Sequence, residues 1–246
     1  MSATPLRLPL KSREVEYPSS DGKPMAETGL HRSEMMYAIE ALQEHFLDVP
    51  DVYVSGNLLL YYVEGDPRRS ISPDVLVAKG VADAKTCRDV YKVWEEGQAP
   101  CWVLEVTSKS TRTEDLRKKM DLYRDLGVEE YFLFDPREEY LHPSLQGFRL
   151  ARSRGSEYRP LPLDVDGSLV SPVLGVRLLR EGQKLRLLHA GTGAAYLRTE
   201  EKSLARRQAE ERASREAEAR RQAEERAARL EAELARLRRG PTWSQQ

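Results

Sequence analysis

Three charged side chains lie in otherwise apolar surroundings, and their types could together support metal-dependent chemistry. Asp74 follows a proline at the start of a predicted strand, Ser72–Ala78. Glu105 interrupts the apolar run Cys101–Val106, and Lys119 lies on the helix that is predicted to follow it. An unpaired buried charge is costly, so Glu105 needs a hydrogen-bond partner, a cation or a metal.

Two carboxylates on adjacent strands can hold a divalent metal ion. Mg²⁺ commonly takes one or two protein carboxylates, with waters and substrate phosphate oxygens as its other ligands. Such an ion activates water and neutralises the charge that builds up on a phosphodiester, and a nearby lysine would orient that water or stabilise the transition state. Asp74, Glu105 and Lys119 therefore point to phosphodiester hydrolysis with Mg²⁺ (or Mn²⁺) as the cofactor.

The helix after the Glu105 strand would position the lysine. Thr111 and Glu114 have the spacing of a capping box at its start. At about 100° per residue the helix has one apolar arc, which is formed by Leu116, Met120, Leu122, Tyr123 and Leu126. Lys119 projects into the middle of this arc, whereas Lys118 and Arg117 lie at its edge or outside it. Lys119 is therefore expected to face the sheet, and Tyr123 is expected to be a core residue.

The rest of the pattern predicts a domain that mixes helices and strands. A helix is predicted from Thr28 to Phe46, and residues 52–63 are expected to form an interrupted strand or a hairpin. A short helix is expected near Val90–Trp94, and Glu129–Phe134 is predicted as the next buried strand. From Tyr140 to His189 short apolar runs alternate with glycines, which is typical of a β-meander.

Other residues could belong to the same site. Glu27 precedes the first helix and could supply a third acidic group, and His31 lies in the first turn, where a capping or surface role is the simpler interpretation. Lys109, on the loop after the strand, is a second candidate lysine, although the loop is expected to be solvated. Glu105 and Lys119 could also form a purely structural ion pair. Asp74 distinguishes the alternatives, because a structural pair does not need it.

The C-terminal tail has a different composition. Residues 198–239 are mostly Ala, Glu, Arg, Leu and Gln, and the sequence R-R-Q-A-E-E-R-A occurs at Arg206–Ala213 and again at Arg220–Ala227, two heptads later. One heptad register gives a seam formed by Ala209, Ala213, Glu216, Arg220, Ala223, Ala227, Leu230, Leu234 and Leu237. The two charged residues weaken the middle of this seam. A coiled-coil homodimer and a solvated single helix both remain open.

Composition excludes several classes of protein. The 39 Lys and Arg residues balance 40 Asp and Glu residues, so there is no global charge that would favour nucleic acid, although a local basic groove remains compatible. Two cysteines, Cys87 and Cys101, form no disulfide framework, and the N-terminus lacks the apolar run of a signal peptide. We expect a soluble cytoplasmic protein with no membrane partner.

Four segments together resemble a known family. They read S-P-D-V at 72–75, L-E-V-T-S-K-S-T at 104–111, D-L-R-K-K at 115–119 and E-Y-F-L-F-D-P at 130–136. This set resembles the Uma-two family of restriction endonucleases, within the PD-(D/E)XK nuclease superfamily. The resemblance covers roughly residues 25–190 and does not include the tail.

The resemblance implies an α/β (α+β) fold of the restriction-endonuclease type, with a mixed sheet flanked by helices, a C-terminal β-meander and a long C-terminal helix. It also implies metal-dependent cleavage of DNA, with Asp74 and Glu105 as metal ligands and Lys119 as a third catalytic residue. The usual superfamily lysine lies two residues after the second acid, where this chain has Thr107. Within the Uma-two family the lysine is found on the helix, which matches Lys119.

Three regions are therefore expected: an N-terminal arm (1–26), a nuclease domain (27–192) and a charged helical tail (193–246). An alternative from another class is a catalytically silent DNA-binding or assembly module that works through its helical tail. The complete set of Asp74, Glu105 and Lys119 argues against that alternative.

Overall fold

The structure, a computed structural model, describes residues 15–20, 28–108, 113–151 and 156–238. The chain divides into two compact units, residues 1–196 and 197–246. In chain order the elements are α1 (Gly29–His45), β1 (Val52–Ser55), β2 (Leu59–Tyr61), β3 (Ser70–Ile71), β4 (Val75–Lys79), β5 (Val90–Lys92), α2 (Val93–Glu96), β6 (Trp102–Val106), a π-helical segment (Glu114–Lys119), α3 (Met120–Asp125), β7 (Glu130–Phe134), β8 (Leu145–Ala151), β9 (Glu157–Pro160), β10 (Leu169–Ser171), β11 (Val176–Glu181), β12 (Lys184–His189) and α4 (Thr199–Arg238).

A six-stranded mixed sheet forms the centre of the first unit. Its strand order is β1-β4-β6-β7-β8-β9, and only β6 and β7 pair in parallel. Parallel neighbours need a crossover connection, and here the connection carries the π-helical segment and α3. All five residues of β6 are buried, as expected for a central strand that is covered on both faces.

One face of this sheet packs against α1 and a second sheet. Met35, Ala38 and Leu42 recur at helical spacing on α1 and are buried against the sheet. The second sheet is the antiparallel meander β10-β11-β12. The buried carboxylate of Glu34 accepts the Leu185 N–H at 2.7 Å, and this bond ties α1 to β12.

The other face packs against α3 and a small sheet of order β3-β2-β5. Val103 and Tyr131 of the central strands contact Tyr123 of α3 in this layer. Because side chains alternate along a strand, Glu105 lies on the same face as Val103. The predicted fold class, a mixed sheet flanked by helices with a meander and a long C-terminal helix, is confirmed.

The strand predicted over residues 52–63 is interrupted between β1 and β2 as expected, whereas the alternative of a hairpin is wrong. β1 and β2 belong to different sheets. At the break, Asn57 has a positive φ of 53° and its N–H donates to the Pro73 carbonyl at 2.8 Å. A Cβ on Gly56 would lie 1.9 Å from the Asp74 carbonyl oxygen. The Ser-Gly-Asn sequence therefore turns the chain tightly against the start of β4.

Two other local predictions need correction. Residues 90–92 form β5, which pairs in parallel with β2, and only one helical turn follows at Val93–Glu96. Leu116 is exposed, whereas Asp115 is buried. An α-helical period places both residues on the apolar arc, so the exposure of Leu116 is what differs from the prediction. The segment has π geometry, in which i→i+5 bonding makes the turn wider, so the side chains fall in a different phase.

Part of the N-terminal arm packs against the small sheet. The Tyr17 hydroxyl accepts the Gly65 N–H at 2.6 Å, and its ring lies 5.1 Å from that of Tyr61 and 5.2 Å from that of Trp94. The Tyr61 hydroxyl in turn donates to the Pro18 carbonyl at 2.6 Å.

The second unit contains the helix α4, whose 40 residues include no buried side chain among those described. Intrahelical pairs join Arg206 to Glu210 at 2.7 Å and Arg220 to Glu224 at 2.8 Å. Within the described ranges, no helix combines the length and the apolar composition needed to cross a lipid bilayer.

Candidate active site

The pairing of β4 with β6 places two of the predicted site residues side by side. Val75 lies opposite Leu104 in this antiparallel pair. Extending the register by one residue sets Asp74 opposite Glu105. Residues that face each other across antiparallel strands share one face of the sheet, with Cβ atoms about 5 Å apart. The two carboxylates therefore belong to one site.

The Glu105 carboxylate is buried and bonded at both oxygens. Its side chain is 1% exposed. Lys119 Nζ lies 2.7 Å from Oε2, and the Tyr123 hydroxyl donates to Oε1 at 2.7 Å. Both partners come from the helical crossover after β6. Tyr123, expected only as a core residue, thus contacts the site directly.

Asp115 is a third carboxylate at this site, and the sequence analysis did not single it out. Its side chain is 1% exposed, and Oδ1 lies 3.1 Å from Lys119 Nζ. The four-residue spacing was visible in the sequence as an i, i+4 acid–lysine pair. At about 100° per residue Asp115 also falls within the apolar arc, between Leu122 and Leu126, but that arc was defined by its apolar members and Lys119 alone.

Asp74 is held by the backbone and by α1. Its Oδ2 accepts the Val106 N–H at 2.7 Å and lies 3.2 Å from His31 Nε2. His31 is itself fixed in the first turn of α1, where its N–H donates to the Thr28 hydroxyl at 3.2 Å. His31 is 6% exposed, so the expected surface role is wrong and the residue orients Asp74.

Burial and neighbouring charges set the protonation states of the cluster. Burial raises the pKa of Glu105 well above that of an ordinary glutamate; Lys119 lowers it, and Asp74 and Asp115 raise it further. Burial acts to lower the pKa of Lys119, but the attraction of Glu105, Asp115 and Asp74 outweighs this and raises it. Burial, then the charge of Glu105, also raises the pKa of Tyr123. Lys119 and Tyr123 therefore keep their protons, and both donate hydrogen bonds to Glu105.

The donor set fits a Mg²⁺ ion that relies on water and substrate for most of its ligands. Asp74 and Glu105 supply carboxylate oxygens, which this hard cation prefers, and one or two protein carboxylates suffice for such a site. Across the described part of the chain, no group of three or more His, Cys, Asp or Glu side chains is arranged to hold a metal ion by itself. A complete coordination shell would therefore need waters and phosphate oxygens.

The remaining candidates fall in different places. Glu27 and Lys109 lie outside the described residues, as does Thr111 of the predicted capping box. Thr107, which occupies the usual lysine position, is 3% exposed, and its hydroxyl has no partner among the described residues. Lys118 is exposed, in agreement with its expected position outside the apolar arc.

A mixed sheet whose adjacent strands carry Asp74 and Glu105, with Lys119 on the crossover, defines the restriction-endonuclease-like class. A family model, Uma2, described as "putative restriction endonuclease", matches residues 4–181. The chain belongs to this family, so the resemblance seen in the four sequence segments is confirmed. The matched range also includes most of the N-terminal arm.

Among solved structures, one similar chain is described as "a putative nuclease belonging to DUF820 from Anabaena variabilis ATCC 29413", from a crystal structure at 1.96 Å resolution. It is 18% identical, the match covers 66% of this chain and 86% of that chain, and the TM-score is 0.43. No curated protein matches this chain.

Proposed function

We propose that this protein is a Mg²⁺-dependent endonuclease that hydrolyses phosphodiester bonds in DNA. The observation that carries the proposal is the position of Lys119, whose ammonium group contacts Glu105 at 2.7 Å and Asp115 at 3.1 Å beside Asp74. Membership of a family described as restriction endonucleases supports the same activity. The reducing cytoplasm, which the two free cysteines favour, is the proposed compartment.

Each residue has a separate role in this proposal. Asp74 and Glu105 would hold Mg²⁺ (or Mn²⁺), which supplies water activation and charge neutralisation when bound. Lys119 places a positive charge where negative charge develops on the scissile phosphate. Tyr123 and Asp115 fix the positions of Glu105 and Lys119, and the Val106 N–H and His31 fix Asp74. This support holds the reacting groups in place before the substrate arrives.

Nicking of a supercoiled plasmid tests the activity directly. The parent chain should nick the plasmid with Mg²⁺ or Mn²⁺ and not with a chelator, and Glu105→Gln or Asp74→Asn should abolish nicking. Glu130→Gln is the matched control, because Glu130 is a buried carboxyl on the neighbouring strand β7 outside the site. Metal-dependent nicking that persists in Glu105→Gln would refute the site. A parent that binds DNA without cleaving it would favour the silent binding module.

We further propose that two copies of the chain associate through α4. The support is the two-heptad repeat and the exposed leucines near its end, Leu230, Leu234 and Leu237. Association would bring two cleavage domains together. Cutting both strands of a duplex requires two hydrolysis events, and each domain would perform one of them.

A further inference from the structure

A groove lies between the small sheet and the helical crossover, directly beside the candidate active site. Its volume is about 530 Å³. Its lining includes Tyr62, Arg68, Ser70, Ser72, Lys118 and Lys119. The connection between β2 and β3 forms one wall, and the π-helical segment with α3 forms the other.

The lining of the groove contains three cations. They are Arg68, Lys118 and Lys119, and no acidic residue lines the groove in the described part of the chain. The charge of Lys119 is offset by Glu105 and Asp115, and that of Arg68 by Asp66. Arg69 adds a further cation near the rim, where its guanidinium lies 5.4 Å from the centre of the Tyr62 ring. Lys118 and Arg69 therefore carry the positive charge that these carboxylates do not offset.

The two outer cations are available to a ligand. Lys118 is exposed, and among the described residues no carboxylate forms an ion pair with it. Arg68 is 88% exposed and pairs with Asp66, from its Nε at 2.9 Å and its Nη2 at 3.2 Å. Exposed pairs of this kind contribute little to stability, so a phosphate could replace Asp66 as the partner of Arg68.

The groove is continuous with the site through Lys119. This residue lines the groove and also contacts Glu105 at 2.7 Å. A polyanion lying along the groove would therefore have one of its phosphates beside the carboxylate pair. Ser70 and Ser72 line the same groove, and serine side chains commonly donate hydrogen bonds to phosphate oxygens.

We propose that this groove binds the DNA backbone next to the scissile phosphate, with Arg68 and Lys118 as the phosphate contacts. The proposal rests on the proposed endonuclease function and assigns the path of its substrate. Phosphate contacts by arginine and lysine supply affinity and register without reading sequence. They also make binding depend on salt, because each contact releases condensed counterions.

Fluorescence anisotropy with a labelled DNA duplex, in chelator and over a series of salt concentrations, tests the groove. The double variant Arg68→Ala/Lys118→Ala should bind at least about tenfold more weakly, and its log–log salt slope should fall by about 2. Arg159→Ala/Lys184→Ala is the matched control, because it removes two exposed cations from β9 and β12. Equal losses in the two double variants, or no loss in the first, would overturn the proposal.

A gain-of-binding variant gives an independent check. Asp66→Asn removes the carboxylate that competes for Arg68 and keeps a side-chain oxygen for the Arg68 N–H, which Asp66 accepts at 3.2 Å. This variant should bind DNA more tightly than the parent, with the difference largest at low salt. Unchanged or weaker binding would contradict the contact between Arg68 and phosphate.

Measurements of cleavage distinguish a failure of the groove proposal from a failure of the endonuclease proposal. Groove variants should raise KM more than they lower kcat, whereas Glu105→Gln should lose cleavage and keep DNA binding. If the parent cleaves DNA and the groove variants bind DNA as tightly as the parent, the groove proposal is wrong and the endonuclease proposal is retained. If the groove variants lose DNA binding but the parent does not cleave DNA, the endonuclease proposal is wrong and the groove proposal is retained.

Discussion

Glu105 is a buried carboxylate whose charge depends on its neighbours. Burial alone favours the neutral acid, yet the carboxylate faces the ammonium of Lys119 and the hydroxyl of Tyr123, each at 2.7 Å. A structural ion pair would need no more than this. The presence of Asp74 across the strand pair and of Asp115 beside Lys119 adds carboxylates that an isolated pair does not require. Three carboxylates around one lysine leave an excess of negative charge, which supports the proposal of a metal site.

Lys119→Ala should reduce plasmid cleavage by about a hundredfold or more, because it removes the positive charge beside the scissile phosphate. The same change leaves Glu105 and Asp115 without their cation, so the free energy of unfolding should fall by about 3 kcal/mol or more. Cleavage is therefore compared at a temperature where circular dichroism shows that both chains are folded. Arg117→Ala, an exposed cation on the same helical segment, is the control. Turnover comparable to the parent would move the assignment to Lys109.

Tyr123→Phe should destabilise the protein by about 2 kcal/mol, because it leaves Glu105 Oε1 without its donor in a buried site. The matched control is Tyr131→Phe, which loses a 3.0 Å bond to the Asp115 backbone carbonyl. That acceptor is neutral, so the cost should be about 1 kcal/mol. Urea unfolding at neutral pH measures both. A smaller loss for Tyr123→Phe than for Tyr131→Phe would show that the hydroxyl of Tyr123 does not stabilise the Glu105 carboxylate.

At the scale of the elements, the apolar runs of the strands predicted the site better than helix periodicity did. A proline before Asp74 and an apolar run around Glu105 were enough to identify both strands, because a strand that is buried on both faces has a nearly continuous apolar sequence. The helix was less predictable. Lys119 was identified, but its partner Asp115 was not, although a turn of about 100° per residue places both on the apolar arc. Leu116 was expected on that arc and is exposed, because the segment is π-helical. The contacts of His31 and Tyr123 depend on how distant elements pack, which sequence spacing does not encode.

Strand β7 carries a buried carboxyl that gives the fold a predictable pH dependence. Glu130 Oε2 accepts the Ser171 hydroxyl at 2.5 Å. Burial raises the pKa of Glu130, although bonds from Ser171 and Val173 oppose the effect. The folded state therefore holds this proton more tightly than the unfolded state. Its contribution to stability is complete below the unfolded-state pKa, near 4.3, and is lost as the pH rises through the folded-state pKa.

Glu130→Gln should remove the loss of stability that the parent shows as the pH rises. Urea unfolding of the parent and the variant, measured from about pH 4 to pH 8, should show the variant gaining stability relative to the parent as the pH rises. The amide can still accept the Val173 N–H and pair with Ser171, so the hydrogen bonds survive the change. A difference between the two chains that stays constant with pH would mean that Glu130 does not titrate in this window.

At the scale of the whole molecule, charge is distributed unevenly although the totals balance. The groove is lined by Arg68, Lys118 and Lys119, whereas the adjacent site holds the carboxylates of Asp74, Glu105 and Asp115. In the tail, charges alternate along the helix, and arginines pair with glutamates four residues later. Such intrahelical pairs stabilise a helix without a partner. These pairs favour a single solvated helix, whereas the seam of alanines and leucines favours a dimer.

The seam on α4 predicts self-association. Its residues Leu230, Leu234 and Leu237 are 61%, 53% and 72% exposed and follow heptad spacing. The full chain should sediment as a dimer at micromolar concentration. Replacing these three leucines by alanine should shift it to a monomer, while circular dichroism shows the same helix content, since alanine is an even better helix former. Leu204→Ala is the control, because this leucine is 58% exposed on α4 and lies off the seam. A parent chain that remains monomeric at every concentration would refute association through α4 and leave the arginine–glutamate pairs as what stabilises the helix.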